Sequence, residues 1–454
     1  MKKNTNCLAV KNAKHIFFVG IGGVSMASLA KYSLAEGKKV SGSDRADGEA
    51  LRALEKDGAK IYLGHRASNI DGSDLVVYTA AVKSDNPELA AAREKGIPTL
   101  TRAEFMGALM ADSGVRIGVA GSHGKSSATA MISHVMLASG KDPTVMCGAD
   151  VPELCGAYRK GGGAFLYEAC EYKDSFLSTS PNVAVILNVD YDHTDYFPSL
   201  GDMISSFSEF AKISSDEGGS VIVCADDDDA MRAVEKEFPI TFGIESEADY
   251  KAENIEMQSG FASFSVTFCD EPFIDKITLA VPGRHNIYNA LATLAVCDLV
   301  GIDKNVAAEA IGSFSGISRR FEKRGNIGGA DIIVDYAHHP REIEATLAAA
   351  REIYGGRLIA VFEPHTFTRT KALFDDFVTA FGGADVKIFT DIFAARETDT
   401  LGVSSEMLAE AAGGEYAASY EAAAARVKEL AKDGDAVLIL GAGTVVRVAD
   451  VIGG

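Results

Sequence analysis

Short apolar runs alternate with amphipathic stretches along most of the chain. Residues 15–19, 115–120 and 183–189 are largely apolar, as in strands that are buried on both faces of a parallel sheet. Residues 125–137 and 342–354 carry apolar side chains three and four positions apart, which predicts helices. Strands that alternate with helices predict an α/β fold with parallel sheets.

One stretch departs from this pattern. Residues 248–281 alternate apolar and polar side chains, which predicts antiparallel strands at a sheet edge. A chain of 454 residues is too long for one core, so we expect about three domains. A cationic, glycine-bearing stretch at 318–325 favours a boundary there, and the predicted domains span residues 1–110, 111–322 and 323–454.

Composition and charge narrow the classes of partner and compartment. The net charge of −20 argues against nucleic acid or an anionic membrane surface as a partner. The 7 cysteines include no CxxC pair and predict reduced thiols. Neither a signal peptide nor a membrane span is indicated. We therefore expect a cytoplasmic protein without membrane insertion, as a monomer or homodimer.

The stretch GSHGKSS at 121–127 carries the strongest chemical signal. It lies between a predicted strand and a predicted helix, where backbone N–H groups and the helix N-terminus bind phosphates. Lys125 would reach the terminal phosphates, and the hydroxyl of Ser126 would ligate magnesium. The alternative is a structural glycine turn before Lys-Ser, because Val119 stands where the usual loop pattern has a glycine.

A second glycine turn, GIGGVS, spans residues 20–25 behind the first predicted strand. Asp44 ends the next strand, at about the distance where a dinucleotide site places its acid for a ribose. Ser25 replaces the third glycine of that pattern. The turn therefore fits NAD, another nucleotide diphosphate or a purely structural role.

Polar residues also follow other predicted strands. Glu171 ends a predicted strand at 165–171, and His193 comes after the apolar run 183–189, both at the edge where open α/β sheets bind ligands. With Ser126 they could hold magnesium beside a triphosphate, although helix caps or surface acids give the same pattern. Asn286 and Asn289 are three residues apart and share a face of a predicted helix.

Six landmarks in order resemble the Mur ligase family: GIGGVSM, AGSHGKSS, EACEYKDSFL, NVDYDHTDY, GRHNIYNALA with RRFE, and DYAHHP with FEPHTFTRT. They extend from Gly20 to Thr370. The resemblance implies a Rossmann-like N-terminal domain for a uridine nucleotide, a central P-loop-type ATPase domain with a parallel sheet, and a Rossmann-like C-terminal domain. This order agrees with the boundaries given above.

The resemblance also implies ATP-dependent ligation of L-alanine to the lactyl carboxylate of UDP-N-acetylmuramate in peptidoglycan precursor synthesis. The reaction would pass through an acyl phosphate and release ADP and phosphate, with Mg²⁺ or Mn²⁺ as the metal. Within the family, the alternative is a ligase that adds a recycled tripeptide to UDP-N-acetylmuramate. Serines at 122, 126 and 127 stand where the family loop has threonines, which keeps the hydroxyl groups.

The same resemblance assigns roles to residues of this chain. Catalysis would involve Lys125, Glu171, His193 and Arg320. The ATP site would contain Gly121, Ser122, His123, Gly124, Lys125, Ser126, Ser127, His285, Asn286, Asn289, Arg320 and Asp335. The metal ligands would be Ser126, Glu171 and His193. The UDP-sugar site would contain Gly20, Ile21, Gly22, Gly23, Ser25, Asp44 and His65. The amino-acid pocket would contain Tyr336, His365 and Arg369.

Two rival functions come from other classes of protein. A nicotinamide-dependent oxidoreductase explains GIGGVS and Asp44 but gives no role to GSHGKSS, Glu171 or His193. A non-catalytic P-loop regulatory protein explains the loop alone. It gives no role to the DYAHHP and PHTFTRT motifs.

Overall fold

The computed structural model describes residues 2–79, 81–395 and 397–453. The chain divides into two compact units, Met1–Val189 with Met203–Thr241, and Asp190–Asp202 with Phe242–Gly454. Its strands form three sheets, and the predicted three-domain α/β fold is confirmed. The boundaries at residues 110 and 322 stay a prediction.

The N-terminal part of the first unit is built on a parallel sheet with the order β3-β2-β1-β4-β5. Its strands are β1 (His15–Val19), β2 (Lys39–Asp44), β3 (Lys60–Leu63), β4 (Leu75–Tyr78) and β5 (Thr99–Thr101). Its helices are α1 (Lys2–Asn12), α2 (Val24–Ala35), α3 (Glu49–Lys56), α4 (Pro87–Glu94) and α5 (Arg102–Met110). Strand β1 lies at the centre and is buried along its whole length, as its apolar sequence predicts.

The remainder of the first unit contains a second sheet, in which the strand order is β11-β10-β6-β9-β7-β8. The strands are β6 (Arg116–Ala120), β7 (Thr144–Val151), β8 (Gly156–Arg159), β9 (Phe165–Glu168), β10 (Val183–Ile186) and β11 (Ser220–Cys224). The helices are α6 (Lys125–Ala138), α7 (Leu200–Asp216) and α8 (Asp228–Ala233). The pairs are parallel except β7 with β8. Strand β12 (Ile240–Gly243) follows at the boundary between the units in sequence.

The second unit begins with the predicted antiparallel strands, which are β13 (Tyr250–Gln258), β14 (Phe261–Phe268) and β15 (Glu271–Pro282). Helices α9 (His285–Leu299) and α10 (Lys304–Ser313) follow. The last sheet has the order β16-β17-β21-β18-β19-β20 and is parallel except for β16. Its strands are β16 (Glu322–Ile327), β17 (Ala330–Asp335), β18 (Leu358–Phe362), β19 (Val386–Phe389), β20 (Glu415–Tyr416) and β21 (Ala436–Leu440). Its helices are α11 (Pro340–Ile353), α12 (Phe367–Ala372), α13 (Phe374–Ala380), α14 (Ser405–Ala412), α15 (Tyr420–Leu430) and α16 (Arg447–Gly453).

The last sheet shows why its strands are continuously apolar. Leu358 and Phe362 belong to a core cluster on one face of β18, whereas Ile359 and Val361 belong to a cluster on the other. Alternate side chains of a strand point to opposite faces, so a sheet covered on both faces needs apolar residues at every position. Polar residues are therefore left to the loops at the carboxyl ends of these strands.

The lengths of the helices and the state of the cysteines bear on two expectations from the sequence. Within the described ranges, no helix combines the length and apolar character that a bilayer span requires. All seven cysteines lie in the described ranges, and none of them forms a disulfide bond.

Candidate active site

The loop between β6 and α6 has the strand–loop–helix geometry that its sequence predicts. Gly121 and Gly124 have φ angles of +144° and +82°, a region that favours glycine. A Cβ atom on Gly121 would also lie 3.0 Å from the Cβ of Leu187. The two glycines therefore allow a tight turn that leads directly into the N-terminus of α6, a position that favours anions.

Lys125 is the first residue of α6, and its side chain is only 13% exposed. Its Nζ lies 3.0 Å from the carboxylate of Glu171 and donates to the carbonyl of Ser122 at 3.2 Å. Burial alone would lower the pKa of Lys125, but the negative charge of Glu171 raises it above its ordinary value. The lysine is thus a fixed positive charge at the loop.

The neighbouring residue, Ser126, contacts a different acid. Its Oγ donates to Oε2 of Glu168 at 2.7 Å, and the backbone N–H of Gly148 donates to the same oxygen at 2.8 Å. A Cβ atom on Gly148 would collide with this carboxylate. Strand β9 ends at Glu168, whereas the predicted strand extended to Glu171, because Glu171 already begins the next turn.

Glu168 was therefore missed by the sequence-based prediction. It belongs to the same EACE run as Glu171, and alternation along β9 was the signal that could have separated the two acids. A serine hydroxyl and a carboxylate oxygen in contact are ligands that suit Mg²⁺. Glu171, which was predicted as a metal ligand, instead pairs with Lys125 in this structure.

Asn188 is a second residue of this loop that the prediction did not include. It follows β10, and its Oδ1 accepts from the backbone N–H of His123 at 2.8 Å. Its Nδ2 donates to the carbonyl of His123 at 3.1 Å, and its own carbonyl accepts from the N–H of Ser122 at 3.2 Å. Asn188 thus fixes the conformation of the predicted ATP-binding segment.

The N-terminal glycine turn and Asp44 also come together in the first unit. The carbonyl of Ser43 accepts from the N–H groups of Gly20 and Ile21 at 2.8 and 3.1 Å. Oδ2 of Asp44 accepts from the N–H of Gly22 at 2.9 Å. In a dinucleotide site this glycine N–H faces the pyrophosphate, whereas here it binds Asp44. The structure thus brings the glycine turn and Asp44 into direct contact.

His65 lies at the same edge of the sheet. It follows β3, and its Nδ1 is 3.0 Å from Oγ of Ser43. Gly23 is the N-cap of α2, which places Ser25 in the first turn of that helix. The structure thus gathers the residues predicted for the UDP-sugar at the carboxyl ends of β1, β2 and β3.

In the second unit, Arg369 is almost completely buried and pairs with Asp192. Nε and Nη2 of Arg369 donate to Oδ1 and Oδ2 of Asp192 at 2.9 and 3.0 Å. Burial would raise the pKa of Asp192, but Arg369 holds it well below its ordinary value. Asp192 was not among the predicted site residues, although it lies next to His193 in the predicted NVDYDHTDY motif.

The three residues predicted for the amino-acid pocket lie in one region of this unit. Nη1 of Arg369 is 3.1 Å from Nδ1 of His365, and the ring of His365 is 5.8 Å from that of His338. The ring of His338 is in turn 5.4 Å from that of Tyr336. Phe393, which was not predicted, stacks on His365 with a centroid distance of 5.5 Å.

The predicted ATP-binding residues of the second unit lie around β17 and α9. Oδ1 and Oδ2 of Asp335 accept from the N–H groups of Ala337 and Phe321, both at 2.7 Å. Burial raises the pKa of Asp335 above its ordinary value even though Arg320 opposes the shift. The guanidinium of Arg320 lies 5.0 Å from the ring centre of Tyr336.

Helix α9 carries the other predicted contacts to adenosine. His285 is its first residue, and Nδ2 of Asn289 donates to Oδ1 of Asn286 at 2.9 Å. This contact confirms that the two asparagines share a face of the helix. The three predicted metal ligands do not all belong to one unit, because Ser126 and Glu171 lie in the first unit and His193 lies in the second. Their common metal site stays a prediction.

Comparisons with known proteins agree with this reading of the chain. The Mur ligase family catalytic domain matches residues 15–113, the Mur ligase middle domain residues 119–297, and the Mur ligase glutamate ligase domain residues 319–443. The chain is 44% identical to UDP-N-acetylmuramate–L-alanine ligase of Caldanaerobacter subterraneus subsp. tengcongensis over 96% of both chains.

Comparison with solved structures also finds similarity to Mur ligases. UDP-N-acetylmuramate-alanine ligase of Thermotoga maritima superimposes with a TM-score of 0.83 at 28% identity, over 97% of this chain and 98% of that one. A murein peptide ligase of Psychrobacter arcticus shares the fold, with a TM-score of 0.74 at 24% identity over 97% and 99% of the two chains. With family models that match most of its length, the chain belongs to the Mur ligase family.

Proposed function

We propose that the chain uses ATP to join L-alanine to the lactyl carboxylate of UDP-N-acetylmuramate, and that it releases ADP and phosphate. The observation that carries this proposal is the loop at 121–124, which presents Lys125 beside the buried Glu171 and Ser126 beside the partly buried Glu168. The choice of substrates follows the relatives that are similar over nearly the whole chain.

The chemistry explains why such a loop is needed. A carboxylate does not acylate an amine at neutral pH, because the leaving group would be an oxide or hydroxide ion. Transfer of the γ-phosphoryl group of ATP to the carboxylate gives an acyl phosphate, and the amine of alanine then displaces phosphate. Positioning and neutralisation of charge account for most of the catalysis in phosphoryl transfer.

The phosphates would be held by the N-terminus of α6 and by Lys125. In this structure Lys125 is directed back at the loop carbonyls and at Glu171. An incoming phosphate offers more negative charge than a carbonyl group, so Lys125 would exchange these contacts for phosphate oxygens. The side chain is already localised by burial, which reduces the entropy lost when the phosphates bind.

The residues around Ser126 fit a divalent metal ion. Oγ of Ser126 and Oε2 of Glu168 lie 2.7 Å apart and are both hard oxygen donors. Ser126 and Glu168 would hold Mg²⁺ or Mn²⁺, and Glu171 and His193 remain the further ligands that the sequence predicts. When bound, the ion supplies positive charge next to the phosphates.

The amino acid would lie against Tyr336, His365 and Arg369. Asp192 occupies the Nε–Nη2 edge of Arg369, so this edge does not also form a bidentate pair with the carboxylate of alanine. Nη1 contacts Nδ1 and the carbonyl oxygen of His365 at 3.1 and 3.3 Å, and it would exchange these contacts for that carboxylate. Asp192 therefore fixes the direction in which Arg369 can act.

The experiment that tests this function measures phosphate release in the presence of ATP, UDP-N-acetylmuramate and one amino acid or peptide at a time. We expect release with L-alanine, and weaker or no release with glycine, L-serine or the recycled tripeptide. Release with the tripeptide and not with L-alanine would support the alternative ligase. Binding of NAD without any amino-acid-dependent release would favour the oxidoreductase.

A further inference from the structure

A completely buried carboxylate lies beside the residues assigned to the UDP-sugar. Glu88 is the second residue of α4, and its exposed fraction is 0%. Its Oε2 accepts from Oγ of Ser43 at 2.7 Å and lies 2.9 Å from Nδ1 of His65. Its Oε1 accepts from Nδ2 of Asn69 at 2.7 Å. Glu88 thus connects three segments of the N-terminal sheet.

The charge of this carboxylate needs a partner. Transfer of a carboxylate into a protein interior is costly unless hydrogen bonds and an opposite charge compensate it. Among the residues that the structure describes, His65 is the only side chain in contact with Glu88 that can become positive. The two side chains therefore form a largely buried pair, in which Nδ1 of His65 lies 2.9 Å from Oε2 of Glu88.

The hydrogen bonds also determine which nitrogen of His65 carries a proton. A carboxylate only accepts hydrogen bonds, and the hydroxyl of Ser43 gives its proton to Glu88. Nδ1 of His65 must therefore be the donor to Glu88. Within the described ranges, no residue forms a hydrogen bond with Nε2, and the side chain is 16% exposed. Nε2 is the atom that remains for a ligand.

The position of the ring indicates which ligand this is. The carbonyl of Ser43 accepts from the N–H groups of Gly20 and Ile21, and the carbonyl of Asp44 accepts from Gly64 at 2.8 Å. His65 therefore lies at the same strand ends as the glycine turn. A glycine turn at the start of a helix is a place where phosphate groups bind.

We propose that Glu88 is a positioning residue that fixes the ring of His65, with Nδ1–H bonded to Glu88 and Nε2–H donating to the diphosphate of the bound uridine nucleotide. This inference rests on the proposed function, since it takes the ligand of the N-terminal domain to be a UDP-sugar. The ring of His65 then lies between two anionic acceptors, the carboxylate and the phosphate, and donates to each of them.

The test is calorimetric titration of the Glu88→Gln variant with UDP and with uridine. Glutamine keeps the size of the side chain and removes its charge. We expect UDP to bind about tenfold more weakly than to the parent chain, because a charge-assisted hydrogen bond becomes a neutral one. Uridine lacks the diphosphate, so its affinity should be unchanged, as should that of ATP.

Two further variants separate positioning from a structural effect. In a His65→Asn background, Glu88→Gln should cause no further loss of UDP affinity if Glu88 acts through His65. Asp74→Asn is the matched change of a carboxylate to an amide, because Asp74 binds the N–H groups of Lys14 and His15 before and at the first residue of β1. This control should bind UDP like the parent chain.

A measurement on the parent chain covers the case in which Glu88→Gln fails to fold. In ¹⁵N NMR spectra of the UDP complex, both ring nitrogens of His65 should be protonated. An unprotonated Nε2, equal losses of UDP and uridine affinity, or wild-type UDP affinity in folded Glu88→Gln would overturn the proposal. Failure of the proposed function is a different result, since it is absence of alanine-dependent phosphate release by the parent chain.

Discussion

At the scale of single residues, the ion pair between Lys125 and Glu171 should affect both catalysis and stability. We predict that Lys125→Ala lowers kcat by at least about 100-fold, because a positioned charge at the transferred phosphoryl group is lost. Steady-state phosphate release measures this effect. Lys141→Ala is the matched control, because Lys141 is exposed in the loop that follows α6. Near-normal turnover of a folded Lys125→Ala variant would contradict the assignment.

The same substitution should also reduce stability. Glu171 is 1% exposed, and loss of its cationic partner costs about 3–5 kcal/mol in comparable buried pairs. Adding Glu171→Gln removes the buried charge as well, so the double variant should recover part of the free energy of unfolding without recovering activity. Urea unfolding of both variants separates these two effects.

A second residue-level prediction distinguishes the two acids near the loop. We expect Glu168→Gln to raise the Mg²⁺ concentration for half-maximal activity by about tenfold or more, because Glu168 contacts Ser126 directly. Glu171→Gln, its matched control, should change this concentration less, since Glu171 faces Lys125. Titration of each variant with Mg²⁺ provides the test. The opposite order of effects would show that Glu171 contributes more to metal binding than Glu168 does.

At the scale of elements, the buried pair of Asp192 and Arg369 connects the segment after β10 with α12 inside the second unit. We predict that Asp192→Ala lowers the free energy of unfolding by about 3–5 kcal/mol, because the guanidinium stays buried without its carboxylate. The double variant Asp192→Ala/Arg369→Ala should lose much less than the sum of the single losses. Glu415→Ala is the control, because its pair with Arg426 is partly exposed and should contribute less than about 1 kcal/mol.

The pH dependence of this pair follows from the lowered pKa of Asp192. A carboxyl group whose pKa is lower in the folded state contributes stability at pH values above its unfolded pKa. It loses that contribution only as the pH falls through the folded pKa. The cost of Asp192→Ala should therefore be constant between about pH 8 and pH 5, which urea unfolding at several pH values can measure. A cost that declines across this range would show that the pair is not ionised as described.

The elements themselves could be predicted from sequence, whereas their contacts could not. Continuous apolar runs predicted β1, β6 and β10, because a strand that is buried on both faces needs apolar residues at every position. Alternation predicted β14, because a strand that is buried on one face needs them only at every second position. The end of β9 was placed three residues late. A short 3₁₀ segment with left-handed conformations at Lys173 and Asp174 follows the strand, and no local sequence pattern predicts it.

The residues of the candidate site could likewise be predicted only in part. Lys125 and Ser126 were found because a phosphate loop needs glycines and a helix start close together in sequence. Asn188, Asp192 and Glu88 were missed because each acts on a segment distant in sequence, and each is a common polar residue in an unremarkable local pattern. Contacts of this kind are set by the packing of the strands, so only the structure could show them.

At the scale of the whole molecule, the net charge of −20 opposes the binding of anionic substrates. The positive groups assigned to anionic ligands, Lys125 for phosphates and Arg369 for the carboxylate of alanine, are largely buried. Long-range repulsion and short-range attraction should therefore act on different steps of binding. Repulsion slows the approach of the ligand, whereas the local contacts determine how slowly it leaves.

We predict that the association rate constant for UDP-N-acetylmuramate rises as NaCl is increased from about 10 mM to about 150 mM. Over this range the Debye length falls from about 30 Å to about 8 Å, so the repulsion by distant carboxylates is screened, while contacts at hydrogen-bond distance are screened much less. Stopped-flow measurements give the rate constant directly. Uridine carries no charge and should associate at a rate that salt does not change. An association rate that falls with salt would mean that a local positive field outweighs the net charge, as in proteins that steer anions toward their sites.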